Sequence, residues 1–433
     1  MLNQTGRVEE MLQPRKIELV LFAIVLAVGI FLRLPPGLFR GGAPLSMVAA
    51  IHPAPAFNQV GFDEGLYAEY VTKLDKLGLS AYPLIVQDYL ERQERLQRSI
   101  LSPLRFLYIF CGYIWHRCFA VDPLTALKSV ASFFSILTLL LSMNFVRRVR
   151  NASWAVGVGA LMAVAPTQLH MSQHALVDGF FTFWALLCLW LLWENLQNPK
   201  SWQWLVAYVV ALALLVVTKE NSFFVWLAIV VLLIANRWLQ FGNVSRELII
   251  GTVLGPLIGA VVLILLAGGV SEAIHTYRYS VAKNYSLHYA ILTGDGPWCR
   301  YLVDLLLVSP FVLLLAFGTM FRLKHAMKAE WFMAIFIAAS YLVMCNVKYG
   351  MNLRYANMWD MPLRFLAVSE IVWLASFAKR FQIAIIAGAV VLLGVIEFHQ
   401  YIVLAVRYPL YELVPIDLLR ALRILKFPSD IQP

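Results

Sequence analysis

The sequence predicts an all-α polytopic membrane protein with about eleven transmembrane helices, and three observations carry that prediction. Of the 433 residues, 61% are hydrophobic and only 14% are charged, against roughly 25% charged residues in a soluble domain. Apolar runs of spanning length recur along the chain, and the lysines and arginines between them cluster on alternate connections. The first two observations exclude an ordinary soluble enzyme. The third turns the net charge of +10 into an orientation signal, because basic loops stay on the cytoplasmic side of anionic membranes. No nucleic-acid partner is expected.

The runs lie near 17–34, 124–146, 152–170, 179–196, 203–218, 221–239, 248–268, 301–321, 331–347, 361–377 and 382–404. Arg15 and Lys16 precede the first, which reads as an uncleaved signal anchor behind a cytoplasmic N-terminus, 1–16, with the small residues around Ala49 and Ala50 as the alternative of a cleavage site. Residues 103–120 are also apolar, but Arg105, His116 and Arg117 interrupt them. If this segment does not cross, Arg147, Arg148, Arg150, Lys200, Arg237, Arg246, Arg322, Lys324, Lys328, Lys379 and Arg380 all fall inside. If it crosses, every later basic cluster inverts to the outside. It therefore reads as a helix lying in the outer interface.

This topology makes residues 1–433 a single transmembrane domain with two large outer loops, 35–123 and 269–300, and an outer tail, 405–433. In the first loop, Leu66, Tyr67, Tyr70, Val71, Leu74 and Leu77 recur at helical spacing behind Asp63 and Glu64, which predicts a short interfacial helix. The five cysteines form no pair motif and fix no redox compartment.

Chemistry-bearing residues concentrate on the outer side. Asp63 and Glu64 open the interfacial helix; the plain reading is capping, although Leu66, three residues after Asp63, denies Asp63 a capping box. Asp178 lies between two spans on the same side, where an ionisable group either lines a cavity or is a simple loop acid. His170, His174 and Asp178 have i, i+4, i+8 spacing, so a continuous helix would align them for a divalent metal such as zinc; apart from that, the sequence calls for no cofactor. Lys219 could hold a phosphate or merely snorkel at a helix end. The loop 269–300 mixes Arg278 with tyrosines, and Arg354 and Tyr355 precede a later span, a mixture that suits a sugar phosphate as well as an aromatic belt.

Five elements in order carry a resemblance. Phe62-Asp63-Glu64-x-x-Tyr67-Ala68-Glu69, Ser102-Pro103-Leu104, Val177-Asp178-Gly179-Phe180-Phe181-Thr182, Thr218-Lys219 and Asn352-Leu353-Arg354-Tyr355 resemble motifs of membrane-integral GT-C glycosyltransferases that use a lipid-linked sugar. The nearest pattern is that of the protein O-mannosyltransferase and aminoarabinose transferase group, families 39 and 83. Two departures stand out. Leu66 and Ser102 occupy positions where aminoarabinose transferases carry basic residues that help hold the lipid phosphate, which shifts that task to residues such as Arg98, Arg105 or Lys219. Trp359-Asp360 is only a partial echo of the oligosaccharyltransferase motif.

The resemblance implies a GT-C type bundle in the plasma membrane, the inner membrane of a bacterium. It implies transfer of a hexosyl or pentosyl group from a polyprenyl-phosphate donor to a glycan, glycolipid or protein hydroxyl at the periplasmic or extracellular face, with inversion. Asp63 would be the general base, with Asp178 and Glu64 as catalytic partners. Tyr67, Lys219, Arg278, Arg354 and Tyr355 would hold donor phosphate or lipid. The competing reading is a secondary transporter or lipid flippase, which places its ionisable groups near the bilayer midplane on repeated halves; no repeat is visible here. A membrane scaffold would explain the spans but not acids and bases on one face.

Overall fold

The computed structural model describes residues 4–39, 41–53, 60–408 and 411–426. Their regular structure is all helical, with no strand among them. After α1 (Gln4–Arg33) the first loop folds into α2 (Phe62–Leu77), α3 (Tyr82–Arg95) and α4 (Phe106–Phe119). The central bundle follows as α5 (Pro123–Val149), α6 (Ala152–Ala163), α7 (Pro166–Gln173), α8 (Val177–Gln197), α9 (Trp202–Thr218), α10 (Ser222–Leu239) and α11 (Arg246–Ala267). The second loop carries α12 (Val270–Asn284) and α13 (His288–Thr293), and the chain closes with α14 (Arg300–Val308), α15 (Pro310–Phe321), α16 (Lys328–Met344), α17 (Asp360–Ala375), α18 (Gln382–Tyr401) and the short α19 (Ile416–Ala421).

Every apolar run is helical, and the chain is a multi-pass membrane protein. Among the described residues five helical segments are long and apolar enough to cross a membrane by length and composition, or six if the bent α6–α7 pair is one span. Two runs that read as single spans are broken. Residues 152–170 bend by 56° between α6 and α7, and 301–321 divides between α14 and α15. Each break has a proline at the new helix start, Pro166 and Pro310, which lacks the N–H that a continuous helix requires.

Elsewhere the helices approach closely. Gly251, Gly255 and Gly259 form a small-residue stripe on α11 facing α9. A Cβ at Gly255 would stand 2.6 Å from the Leu212 Cβ, and one at Gly259 2.7 Å from the Ala213 carbonyl oxygen. This is the device by which membrane helices gain van der Waals contact without a hydrophobic driving force.

The α6–α7 break exposes carbonyls that buried arginines satisfy. Met162 would bond residue 166 in a continuous helix, but Pro166 has no donor. Arg33 supplies one instead, reaching the carbonyls of Met162 at 2.7 Å and Ala163 at 2.9 Å. Arg364 reaches Leu161 at 3.2 Å and pairs with Asp360 at 2.8 Å and with Glu397. Gln168 donates to Asp360 at 3.0 Å. All of these side chains are buried, so Asp360 belongs to the structural interior.

Removing one partner from this network should be worse than removing two. Arg364→Met strands Asp360 and Glu397 and is expected to lower stability by roughly 3–5 kcal/mol. Adding Glu397→Leu should recover part of that loss, read as a non-additive thermal shift of the detergent-solubilised protein.

Candidate active site at the helix ends

Four segments far apart in sequence meet at one end of the bundle: the start of α2, the start of α8, the α9–α10 turn and the stretch before α17. The Lys219 ammonium pairs with the Asp178 carboxylate, and both are buried. Arg354 lies between two acids, with Nη2 at 3.2 Å from Asp63 Oδ2 and Nε at 3.7 Å from Asp178 Oδ2. The Tyr355 ring lies under Lys219, 3.9 Å from Nζ to the ring centroid. Asp63, Asp178, Lys219, Arg354 and Tyr355, separated by up to 292 positions, are therefore one cluster.

The beginning of α2 explains why Asp63 is available. The helix starts two residues earlier than capping by Asp63 would set it, with Gly61 as N-cap, so the third helical position is Glu64 and not Leu66. Glu64 Oε2 accepts from the Gly61 N–H at 2.8 Å; glycine has no side chain to reciprocate, so only half of a capping box forms. Glu64 Oε1 accepts from the Ala175 N–H at 2.7 Å and faces His174 Nδ1 at 3.3 Å. Glu64 thus caps one helix and ties it to the loop before α8. Asp63 is relieved of capping, is one-fifth exposed, and among the described residues accepts a hydrogen bond only on Oδ2.

The structure corrects the metal reading. α7 ends at Gln173 and His174 is extended, with φ −111 and ψ 145, so the i, i+4, i+8 spacing does not lie on one helix. His170 bonds the Tyr411 carbonyl at 3.0 Å, His174 faces Glu64, and Asp178 belongs to Lys219 and Arg354. Among the described residues no group of three His, Cys, Asp or Glu is arranged to hold a metal ion.

A second charge pair adjoins the cluster. Arg105, just before α4, binds Glu220 through two nitrogens and donates to the Tyr67 hydroxyl oxygen at 2.9 Å. Tyr67 accepts with its oxygen and keeps its proton, since burial pushes its pKa above the ordinary phenol value. Arg278, by contrast, is exposed on α12 and among the described residues forms no ion pair with the cluster.

The C-terminal segment also folds back here, which hydropathy did not indicate. Glu412 Oε1 stands 4.0 Å from Arg354 Nη1 and accepts from the Tyr289 hydroxyl at 3.0 Å. The Tyr411 ring packs on Gly61 and edge-on to His174, 5.7 Å between centroids. These contacts could not be read from local pattern, because each joins positions more than 50 residues apart.

Similarity to known proteins follows this geometry. Residues 114–277 match the model of a family described as dolichyl-phosphate-mannose-protein mannosyltransferase. No curated protein matches the sequence. Among solved structures, ArnT from Cupriavidus metallidurans in the apo state aligns over 90% of this chain and 75% of that one, at 16% identity and a TM-score of 0.52. Its form bound to undecaprenyl phosphate aligns over 93% and 72%, at 16% identity and a TM-score of 0.56. The oligosaccharyltransferase AglB from Archaeoglobus fulgidus, in complex with an inhibitory peptide and a dolichol-phosphate, aligns over 90% of this chain and 55% of its own, at 13% identity and a TM-score of 0.56. By fold, the chain is a GT-C membrane protein.

Glu64 gives a signed pH prediction. Burial raises its pKa, but bonds from His174 and the backbone of Gly61 and Ala175 outweigh it and lower the value from 4.5 to about 2. A depressed folded-state pKa means stability that is present above about 4.5 and is lost as pH falls through about 2. Glu64→Gln should therefore cost on the order of 2 kcal/mol at neutral pH. The gap from the parent protein should close as thermal melts are taken down to pH 2–3.

Proposed function

We propose that this protein transfers a sugar from a polyprenyl-phosphate donor to an acceptor hydroxyl at the extracytoplasmic face of the membrane, with inversion and with Asp63 as general base. The coarser statement, a polyprenyl-linked glycosyltransferase, is what the family match over 114–277 and the GT-C fold indicate. The observation that carries the finer one is the convergence of Asp63, Asp178, Lys219 and Arg354 at one end of the helices. ArnT binds undecaprenyl phosphate and AglB binds a dolichol-phosphate; a polyprenyl phosphate is the corresponding donor here. Parity of the spans and the basic loops supports the extracytoplasmic side.

A hydroxyl is a poor nucleophile at neutral pH, so its proton must leave as the new bond forms. The acceptor oxygen attacks the anomeric carbon, its proton passes to the open Oδ1 of Asp63, and the bond from that carbon to the phosphate oxygen breaks. The electron pair leaves with the lipid phosphate. One displacement from the opposite side inverts the centre. Lys219 and Arg105 offset the phosphate charge, and the Tyr67 proton is free to hydrogen-bond it. Asp178 positions Lys219 and Arg354, Arg354 fixes the orientation of Asp63, and Glu64 holds the helix that carries Asp63. Arg278 lies outside this cluster and has no part in the step. The His170, His174 and Asp178 arrangement gives no basis for routing the reaction through a metal.

A transporter or flippase is the weaker reading. The charges buried within the bundle, Arg33, Asp360, Arg364 and Glu397, are bonded to one another or to backbone carbonyls.

Asp63→Asn is expected to lower transfer by at least about a hundredfold while yield and melting temperature stay at the parent values. An Asn variant with near-normal turnover would remove Asp63 from the base role. Lys219→Ala should instead act on the donor, raising KM for the polyprenyl-phosphate sugar in steady-state assays.

A further inference from the structure

The C-terminal segment helps to line a small cavity beside the cluster. The cavity measures about 20 Å³, room for a single water molecule. Its lining combines Arg300, Asp304 and Arg354 with Glu412, Leu413 and Val414. Arg300 and Asp304 are buried, and Arg300 Nε stands 3.7 Å from Asp304 Oδ2, too far for a hydrogen bond. Arg300 Nε, Asp304 Oδ1 and Arg354 Nη1 make no hydrogen bond among the described residues. Polar atoms buried in that condition are costly, so the cavity favours a ligand that brings hydroxyl groups to them. It adjoins the site, because Arg354 also reaches Asp63 at 3.2 Å.

The segment has two parts that are held differently. Leu413, Val414, Leu419 and Leu425 are buried in the apolar core of the bundle. Tyr411 and Glu412, ahead of them, are only partly buried. The Tyr411 carbonyl meets His170 at 3.0 Å, and Glu412 accepts from the Tyr289 hydroxyl at 3.0 Å and stands 4.0 Å from Arg354. The Tyr411 ring leans on Gly61, where a Cβ would stand 2.8 Å from Tyr411 Cζ, closer than packed carbons approach. Gly61 lies two positions before Asp63. Burial, and after it the Asp63 carboxylate, hold the Tyr411 pKa far above the ordinary phenol value, so the hydroxyl keeps its proton near the base.

We propose that Tyr411 and Glu412 form an autoinhibitory tip, which in place confines the cavity and crowds the approach to Asp63, and which a substrate displaces while the apolar anchor behind it stays. The inference rests on the glycosyl-transfer reading for the nature of that substrate, a hydroxyl-rich ring. Such a ring needs several times the room of one water molecule, and moving the tip provides it beside Arg300, Asp304 and Arg354. Displacement is feasible because the tip's own bonds are few and polar, and substrate hydroxyls replace them in kind. Anchor and tip are consecutive in sequence, so the movement needs only a change of backbone angles next to Leu413.

The test is carboxyl footprinting of the full-length protein in detergent, with a water-soluble carbodiimide and glycine ethyl ester, read residue by residue by peptide mass spectrometry. Asp304 is the reporter for the cavity and Asp63 for the base. Asp417, which is exposed, sets the reference rate, and Glu397, buried in the bundle, reports folding. Two variants open the tip by different means. Gly61→Ala puts a methyl group against the Tyr411 ring and keeps the N–H from which Glu64 accepts. Glu412→Ala removes the contacts to Tyr289 and Arg354. In the parent, Asp304 should label far more slowly than Asp417. Each variant should raise its labelling at least about tenfold, the gain available when an open state of roughly a tenth or less becomes the main one. Asp63 should follow in the same direction, and Glu397 should stay unlabelled. Equal Asp304 labelling in the parent and both variants would make the segment a fixed wall and overturn the proposal. Labelling of Asp304 in the parent at the rate of Asp417 would also overturn it, since nothing would then be confined. A rise at Glu397 in step with Asp304 in both variants would assign the effect to loosening of the bundle, with the same result. The footprint is read without turnover, so near-normal transfer by Asp63→Asn would remove the base reading and leave the tip standing.

Discussion

Burying the Asp178 carboxylate and the Lys219 ammonium together takes two charges out of water, and their mutual attraction offsets that loss only when the remaining lone pairs and protons also find partners. Arg354 supplies the second partner for Asp178, and the Tyr355 ring covers the ammonium. Because Arg354 also reaches Asp63, stabilising the buried pair simultaneously fixes the carboxylate at the start of α2. The positions of α2, α8, the α9–α10 turn and the stretch before α17 depend on this one guanidinium. Neutralising it would leave three acids, Asp63, Asp178 and Glu412, facing one another across a poorly solvated space.

The chemistry of Asp63 depends in turn on what its neighbour does. A helix start leaves several N–H groups without partners, and an acid there is normally drawn into satisfying them. Glu64 takes that part and extends it to the Ala175 N–H across the loop before α8. Two adjacent acids with the same side-chain chemistry thus separate by geometry: one is enclosed and bonded through both oxygens, the other is partly exposed with one oxygen open.

Much of this was legible in the sequence because membrane topology is a strong constraint. Counting spans put Asp63, Asp178, Lys219 and Arg354 at the same ends of their helices, and the structure brings them into contact. What stayed hidden depended on where helices stop. His170, His174 and Asp178 look aligned only if α7 continues, and it ends at Gln173. The cap made by Glu64 was hidden because the predicted start of α2 was two residues late, which shifted every capping position. Arg105 could be named as a candidate cation from the gaps at Leu66 and Ser102, but its pairing with Glu220 across 115 positions has no local signal. Pro166 and Pro310 did announce their breaks, yet apolar run length alone overrode them in the span count.

Arg33 in the interior and the arginines at the helix ends are held by different kinds of partner. In the interior, Arg33 directs its guanidinium to backbone carbonyls and a serine that the bend at Pro166 leaves in need of donors. Those bonds complete a helix break and could not be given up without exposing backbone polar groups in an apolar surrounding. At the helix ends the arginines are held mainly by carboxylates, and carboxylates can be exchanged for another anion at little net change in charge. The Arg105–Glu220 pair is the clearest case, since Glu220 is more than one-third exposed and binds in the two-pronged manner that a phosphate also adopts. In the proposed transfer an entering donor phosphate would take over the guanidinium while Glu220 turns to water. Such exchange is available only at the boundary of the membrane, where water can receive the displaced acid, which is a physical reason to place the proposed transfer at the ends of the helices.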